Sequence, residues 1–442
     1  MDTLPLEDIQ GFILRGYAMD CLRLFVLRVA DAASARLALG KLPIASGTTW
    51  AAAKPDACVN VAFTFAGLQA LGLSAESLAS FPEEFRQGAV ARAAIVGDTG
   101  QSDPSHWMPA LAAGGVHVLV TLFAQTQEIR EDWANRLREI WKGGAFAEAL
   151  TIDANILPGN VAHFGYRDGY SQPTIEGGLT NLVPEPPQVP PSPAGEFLLG
   201  YPSQFTGYSY TLPEPAAELG MNGSFMALRI LEQDCAAFER LLRDAPAQFG
   251  MDGELLAAKM VGRWRNGVPL ELSAETDSPV PAIPLEGLNA YDYTADMRGN
   301  RCPIGSHMRR NNPRNSPIAG GGGLKHRIVR RGLPYGPPYD PSCPDDGIER
   351  GLLGIFIGAS IKDQFEFLMK EWVNGDLFAP GIGGTKDPIL GDNSGGAGRF
   401  VIPAAARKPA VVVTGFARLV ETRGGAYAFL PGLRGIRYIA GL

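Results

Sequence analysis

Histidine is scarce in this 442-residue chain: His106, His117, His163, His307 and His326 are all it has. A metal or cofactor held by imidazole must be held by one of these. Cysteine is equally thin. Cys21, Cys58, Cys235, Cys302 and Cys343 are scattered, odd in number and without a C-x-x-C pair, which speaks against a disulfide framework and suits a reducing compartment. Positive charge is not in excess either: a formal net charge of −7 argues against a general binder of nucleic acid or anionic membrane. No run of about 18 apolar residues occurs, so a membrane span is not expected. The opening MDTLPLEDIQGFILRGYAMD is acidic ahead of its apolar stretch and lacks the basic start of a secretory signal. These absences together lead to the expectation of a cytoplasmic protein with neither nucleic-acid nor membrane partners.

Several catalytic signatures are missing as well. There is no G-x-S-x-G nucleophile elbow and no H-E-x-x-H. GGGG at 320–323 is followed by no Lys-[Ser/Thr] in phosphate-loop register, so a plain glycine loop is expected there. Cys302 and His307 are neighbours, but no second pair has zinc-ligand spacing.

What the chain does have is enough apolar sequence for a large core, with 45% hydrophobic and 19% charged residues. Its length suits two domains. LRLFVLRVADAASARLALGKL (22–42) reads as a strand running into a helix, and SFMALRILEQDCAAFERLL (224–242) repeats the pattern, with Leu27-Arg28-Val29 matched by Leu228-Arg229-Ile230. A second pair, at 115–141 and 351–373, each reads strand, turn, amphipathic helix. This recurrence predicts a duplicated α+β unit. Between the copies lies PEPPQVPPSPAGEF (184–197), six prolines in fourteen residues. Proline fixes φ and removes a donor, so this is an extended connection. The expected units are 1–210 and 211–442. A second irregular zone, about 265–350, holds most of the unusual residues, as long functional loops do.

Three short segments carry the chemistry. GYRDG (165–169) sets Asp168 between glycines, CPIGSHMRRNNPR (302–314) supplies His307, and RRGLPYG (330–336) supplies paired arginines before a Pro-Tyr-Gly turn. Taken singly, Asp168 reads as a turn aspartate bonding its own backbone, His307 as a capping histidine and Arg330 as part of a solvated face. Taken in order, they resemble the dye-decolorizing peroxidases, a haem enzyme family with a G-x-x-D-G motif, a later proximal histidine and a distal arginine. IQGFILRGY, HFGYRDGYSQP, LGY (199–201) and ASIKDQFEF (359–367) extend the likeness over nearly the whole chain, and the segment lengths look most like the C/D-type subgroup.

The resemblance implies an α+β fold of two ferredoxin-like halves with antiparallel sheets, a dimeric α+β barrel-like duplication, with haem b (iron protoporphyrin IX) held mainly by the C-terminal half. It implies hydrogen peroxide as oxidant and dyes or phenolic compounds as reductants; a haem carrier or sensor on the same fold is the alternative. A monomer and a homo-oligomer are both left open. His307 matches the iron ligand, with His326 the alternative. Asp387, with Asp392 as runner-up, matches the carboxylate that orients a ligating imidazole. Asp168 matches the distal base; an aspartate titrating near pH ~3.9 is ionised in mild acid. Arg330, or Arg331 in a shifted register, matches the cation beside it. Arg309 and Arg314 stand either as partners of haem carboxylates or as solvated cations. Gly169, Gly354 and Phe356 are further cofactor contacts. Gly354 stands where the family places a bulky apolar residue, so either the pocket is open or Phe356 fills it from a shifted strand. Tyr335, Tyr339 and Trp372 are candidates for surface electron transfer, with ordinary packing the alternative.

Overall fold

The strands form because runs rich in Val, Leu, Ile and Phe recur between turn residues, and few polar groups interrupt them. In chain order they are β1 (Cys21–Val29), β2 (Ala57–Phe63), β3 (Val118–Ala124), β4 (Phe146–Asn155), β5 (Ser224–Gln233), β6 (Val329–Arg330), β7 (Leu333–Tyr335), β8 (Gly351–Gly358), β9 (Gly398–Ile402), β10 (Val411–Phe416) and β11 (Val420–Leu430). This computed structural model describes residues 4–442 apart from 49, 51, 52, 113, 168, 170, 180–184, 186–188, 315, 317–323, 344, 378 and 406–408. The glycine run at 320–323 and Asp168 therefore lie outside the described residues.

Among the described residues nine strands join in one antiparallel sheet, ordered β4-β1-β3-β2-β11-β5-β8-β6, with β7 also on β8. The order carries the duplication. In the first half the fourth, first, third and second strands run β4-β1-β3-β2, and β11-β5-β8-β6 repeats that order in the second. The two strand–helix pairs matched in the sequence are the first and third strands of each half. The halves meet where β2 touches β11 at Phe63 and Phe429. There the buried Gln10 side chain replaces the missing ladder: its Nε2 donates to Val61 O (2.8 Å) and Pro431 O (3.0 Å), and its Oε1 accepts from Val61 N (3.0 Å).

Helices cover the sheet, and their starts follow from capping side chains. Asp31 accepts from Ser34 N ahead of α1 (Ala32–Leu39), Thr126 from Ile129 N ahead of α2 (Gln127–Trp141), and Asp234 from Ala237 N ahead of α3 (Cys235–Phe249). Each such cap is worth about 1 kcal/mol against alanine. Because strand side chains alternate, one sheet face buries Phe25, Val61, Phe63, Val120 and Phe429 in one cluster with Ala35 of α1 and Ala134 of α2, while Leu24, Ala62, Leu119, Leu228 and Ala428 are buried on the other.

Residues 351–373 depart from expectation in one respect. Strand β8 is there, but 361–366 and 368–373 wind with wide π-type turns in place of a regular helix. The Gln364 side chain is turned back, accepting from Ser360 N (2.9 Å) and donating to Glu196 O and Arg327 O (2.8 and 2.7 Å). Such turns are rare and gather at functional sites. The zone 265–350 is as irregular as its composition suggests, with only short elements among its described residues. No helix among the described residues is long and apolar enough to cross a membrane.

Candidate active site

His307 opens a short helix, His307–Asn311, with Ser306 as its N-cap. Residues three and four positions on share a helix face with the first, so Arg310 and Asn311 stand beside His307. Its Nδ1 lies 2.8 Å from Asp387 Oδ2, and Asn311 Nδ2 donates to the same oxygen at 3.0 Å. The other oxygen of Asp387 accepts from the backbone N–H groups of Ile389 (2.8 Å) and Leu390 (2.9 Å). Asp387 is completely buried. Burial alone would raise its pKa, but the electrostatic interaction and hydrogen bond with His307, the Leu390 N–H and the Arg310 cation outweigh it and hold the carboxyl below its usual range. A carboxylate at Nδ1 fixes that nitrogen as the N–H and puts the imidazole lone pair on Nε2.

Arg310 ties this helix to the segment carrying Asp387. Fully buried, it donates to Gly305 O, Trp372 O, Gly375 O and both oxygens of Thr385. Burial pulls its pKa down to about 10, so it is still a cation at neutral pH.

Arg309 faces elsewhere, and its expected role needs correction. It is 2% exposed, and its guanidinium already has a carboxylate: Nη1 bonds Asp296 Oδ2 (2.9 Å) and Cys302 O, Nη2 bonds Asp296 O, and the group lies over the Tyr293 ring. It holds the segment ahead of His307 and is neither solvated nor open to a haem carboxylate. Arg314 is not solvated either. It is buried, donates to Asn289 O, Tyr291 O and Asn289 Oδ1, and stacks on Tyr291 at 3.9 Å.

The loop that follows Asp168 is pinned from two directions. Arg330 Nη2 donates to Ser171 O (3.1 Å), Gln172 Oε1 accepts from Arg330 N (3.1 Å), and Asn312 Nδ2 donates to Ser171 Oγ (3.4 Å). Ser171 thus joins the Arg330 segment to the residue just past the His307 helix. The glycines of GYRDG have a physical cause. Gly165 and Gly169 take φ of +84° and +89°, and a Cβ on Gly165 would come within 2.7 Å of Arg265 Nη1. Gly169 itself is exposed. Arg331, next along the chain, turns the opposite way and donates to Phe12 O and Ile13 O, so it anchors the IQGFILRGY segment.

Gly354 and Phe356 sit on β8, whose register with β5 is unbroken, and Phe356 is paired across the ladder with Arg330. Opposed residues project to one face. The strand is therefore not shifted; Phe356 is two positions on along the same face, and a Cβ on Gly354 would meet its ring at 2.8 Å. Phe356 in turn stacks on Phe365 with centroids 5.6 Å apart. The space vacated at Gly354 is filled by Phe356.

Other sequence candidates separate clearly. Asp392 bonds Thr99, Ser394 and Arg418, not His307. His326 stacks on Phe367 at 3.7 Å and its Nδ1 meets Asp363 O. Tyr335 and Trp372 are buried and Tyr339 is half-buried under Arg350, so none of the three is an open surface aromatic.

One imidazole on a buried carboxylate suits a metal that brings its remaining ligands with it. Among the described residues no group of three or more His, Cys, Asp or Glu could hold a bare ion. A single imidazole oriented by a buried carboxylate is a donor set that fits a haem. Arg310 and Asn311 were not picked out from sequence, although their three- and four-residue spacing from His307 marks them; Arg309, which was, lies off that face.

Comparisons with known proteins agree in direction. The profile described as the DyP dimeric alpha+beta barrel domain matches residues 8–158. The chain is 30% identical to the dye-decolorizing peroxidase msp1 of Mycetinis scorodonius, over 99% of this chain and 88% of the relative. It is 27% identical to the multifunctional dye peroxidase DyP2 of an Amycolatopsis species, over 98% and 95%. Among solved structures, an ancestral D-type dye-decolorizing peroxidase superposes with a TM-score of 0.84 at 27% identity, covering 99% of both chains. A dye-decolorizing peroxidase in complex with 2,6-dimethoxyphenol does so at 0.82 and 28%, covering 99% of this chain and all of that one.

Proposed function

The chain belongs to the dye-decolorizing peroxidase family and is a haem-dependent peroxidase of dyes and phenolic compounds, and on that footing we propose that His307 ligates the iron and that Asp168 and Arg330 are the catalytic pair. The observation that carries the assignment is the His307–Asp387 hydrogen bond of 2.8 Å. The group is taken to be haem b. Bound haem supplies an iron centre that takes up the oxidising equivalents of hydrogen peroxide and passes them to an organic donor.

The chain's own residues do the rest. Asp387, kept ionised by its amides and by Arg310, orients His307 and raises its donor strength. Asp168 takes the proton from one peroxide oxygen and returns it to the other as water departs. Arg330, held over the loop that follows Asp168 by its bond to Ser171 O, keeps that aspartate ionised and offsets developing negative charge. Phe356, packed between Gly354 and Phe365, limits the space on this side. Gly169 gives the Asp168 loop its positive-φ turn. Arg314, whose bonds run to carbonyl and amide oxygens, is the candidate for a haem propionate. The repeated strand order supports a division at 1–210 and 211–442. Five free cysteines, four of them buried, support a reducing, cytoplasmic setting. Monomer and homo-oligomer are equally compatible with this reading.

The test is an absorption spectrum of the purified protein before and after one equivalent of hydrogen peroxide. A Soret band that changes on peroxide and returns with a phenol supports the enzyme. A band that never changes favours the carrier, and the lack of a band removes both.

A further inference from the structure

The segment carrying Asp387 is fastened at its far end to the N-terminal half of the chain, and the fastening is a second carboxylate. Asp392 Oδ2 accepts from Thr99 Oγ1 (2.7 Å), and Oδ1 accepts from Ser394 Oγ (2.5 Å) and Arg418 Nη1 (3.3 Å). The Asp392 backbone is held as well: its N–H donates to Asn374 Oδ1 (2.8 Å) and its carbonyl accepts from Lys386 Nζ (2.7 Å). The partners converge on one short stretch of the other half. Arg418, almost buried, also donates to Thr99 O (3.2 Å) and Gly97 O (3.0 Å), and Asn374 Nδ2 reaches Val96 O (3.3 Å).

Between Asp392 and Asp387 the chain is stiff. Gly391 N donates to Asp387 O (3.0 Å), Asn393 Nδ2 donates to the same oxygen (2.9 Å), and Ile389 N and Leu390 N close onto Asp387 Oδ1. A shift of Asp392 therefore cannot be absorbed in a slack loop and passes to the Asp387 carboxylate. We propose that Asp392 is a positioning residue for the His307–Asp387 pair, through which Val96–Thr99 of the N-terminal half sets the orientation of the proximal carboxylate. This rests on the reading that His307 ligates haem iron. Its consequence is chemical: a well-aligned Nδ1–H to carboxylate bond makes the imidazole a stronger donor to iron, and a loosened one makes it weaker.

The experiment uses holoenzyme of Asp392→Ala, Asp392→Asn and Thr99→Val. The readouts are the iron–histidine stretching band of the reduced protein by resonance Raman, the midpoint potential, and amide exchange at Ile389 and Leu390. Asp392→Ala should move the band to lower frequency, shift the potential positive and speed exchange at both amides. Thr99→Val, which removes one hydroxyl at nearly constant shape, should move all three in the same direction by less. Asp392→Asn, which keeps an acceptor but loses the charge facing Arg418 and Lys386, should fall between them. Wild-type band, potential and exchange in Thr99→Val, or in a folded Asp392→Ala that merely melts earlier, would overturn the proposal. If Asp392→Ala fails to fold, Thr99→Val decides alone. Failure of the underlying reading looks different: the wild-type protein itself would lack the band, or His307→Ala would retain it.

Discussion

His307 Nδ1 and Asp387 Oδ2 lie 2.8 Å apart, although eighty residues separate them in sequence, and the second oxygen of that carboxylate is closed off by two backbone amides. An acceptor held this way cannot rotate to follow a displaced ring. It fixes the imidazole from behind, which is what a ligand to a large planar cofactor requires.

His307→Ala should therefore lose most bound haem, since it removes both the proposed ligand and the group that Asp387 orients. Haem stoichiometry after reconstitution measures this. Asp387→Asn should retain haem with affinity weakened by roughly 10- to 100-fold, as losses of such orienting partners typically are. Unchanged occupancy and an unchanged ferric spectrum in His307→Ala would remove His307 as the ligand.

At Gly354 the prediction concerns packing first and access second. A Cβ there meets the Phe356 ring at 2.8 Å, so Gly354→Phe should overfill the site and cost about 1–3 kcal/mol in stability. The double variant Gly354→Phe/Phe356→Gly exchanges the two volumes along one strand face and should recover much of that loss. Thermal melts test the recovery. Turnover should separate as well, with small phenols losing more than large dyes in the single variant. A double variant no more stable than the single one would mean the two positions do not share space.

The contrast between what could and could not be read from sequence is physical. Strands β1, β3, β5 and β8 were legible because continuous apolar runs preceded helical spacing, and the repeated Leu-Arg-Val/Ile core marked two of them as equivalent. The wide turns after β8 were not, because they depend on Gln364 reaching Glu196 and Arg327 far away in sequence. The candidate site segments stand out as contiguous motifs, while partner choice does not. Asp387 and Asp392 have the same chemistry five residues apart, and only three-dimensional neighbours decide which meets His307 and which meets Thr99. Arg309 meets Asp296 and not the His307 pair, because adjacency in sequence puts a helical side chain on a different face.

Glu271 should make the protein less stable as pH rises. Its side chain is buried, only one of its oxygens has a partner among the described residues, and that partner is Arg301 at 3.2 Å. Burial, then the charge of Asp296, push its pKa up to about 7 against the pull of Arg301 and Arg309. An unfolded glutamate titrates near ~4.3. Between those values the folded protein binds more protons than the unfolded one, so stability is full below pH ~4.3, declines toward pH ~7 and is level above it. Glu271→Gln removes that decline and should be more stable than wild type at pH 8 by about 1–3 kcal/mol, with little difference at pH 4. Urea midpoints at the two pH values test this; a constant offset between the proteins would show that Glu271 does not titrate in this range.

Asp168 and Arg330 should fail in different ways. Asp168→Asn keeps the shape and deletes the proton acceptor, so the peroxide-dependent spectral change should slow by about 10²- to 10⁴-fold, the usual worth of a general acid–base group. Arg330→Leu removes the cation held to Ser171 O on the loop that follows Asp168. Without that positive charge, protonation of the aspartate becomes easier. The residual activity of the arginine variant should therefore keep an acidic limb displaced to higher pH, whereas the asparagine variant should have no such limb. Stopped-flow rates of the peroxide-dependent spectral change across mildly acidic to neutral pH separate the two cases. Arg330 also helps to hold the loop, so a second arginine variant is informative. Arg330→Lys retains a charge without the planar fork and should restore the position of the limb better than it restores the rate. If Asp168→Asn keeps the wild-type rate and profile, Asp168 is a turn residue and the proton acceptor must be sought elsewhere on the Arg330 side of the site.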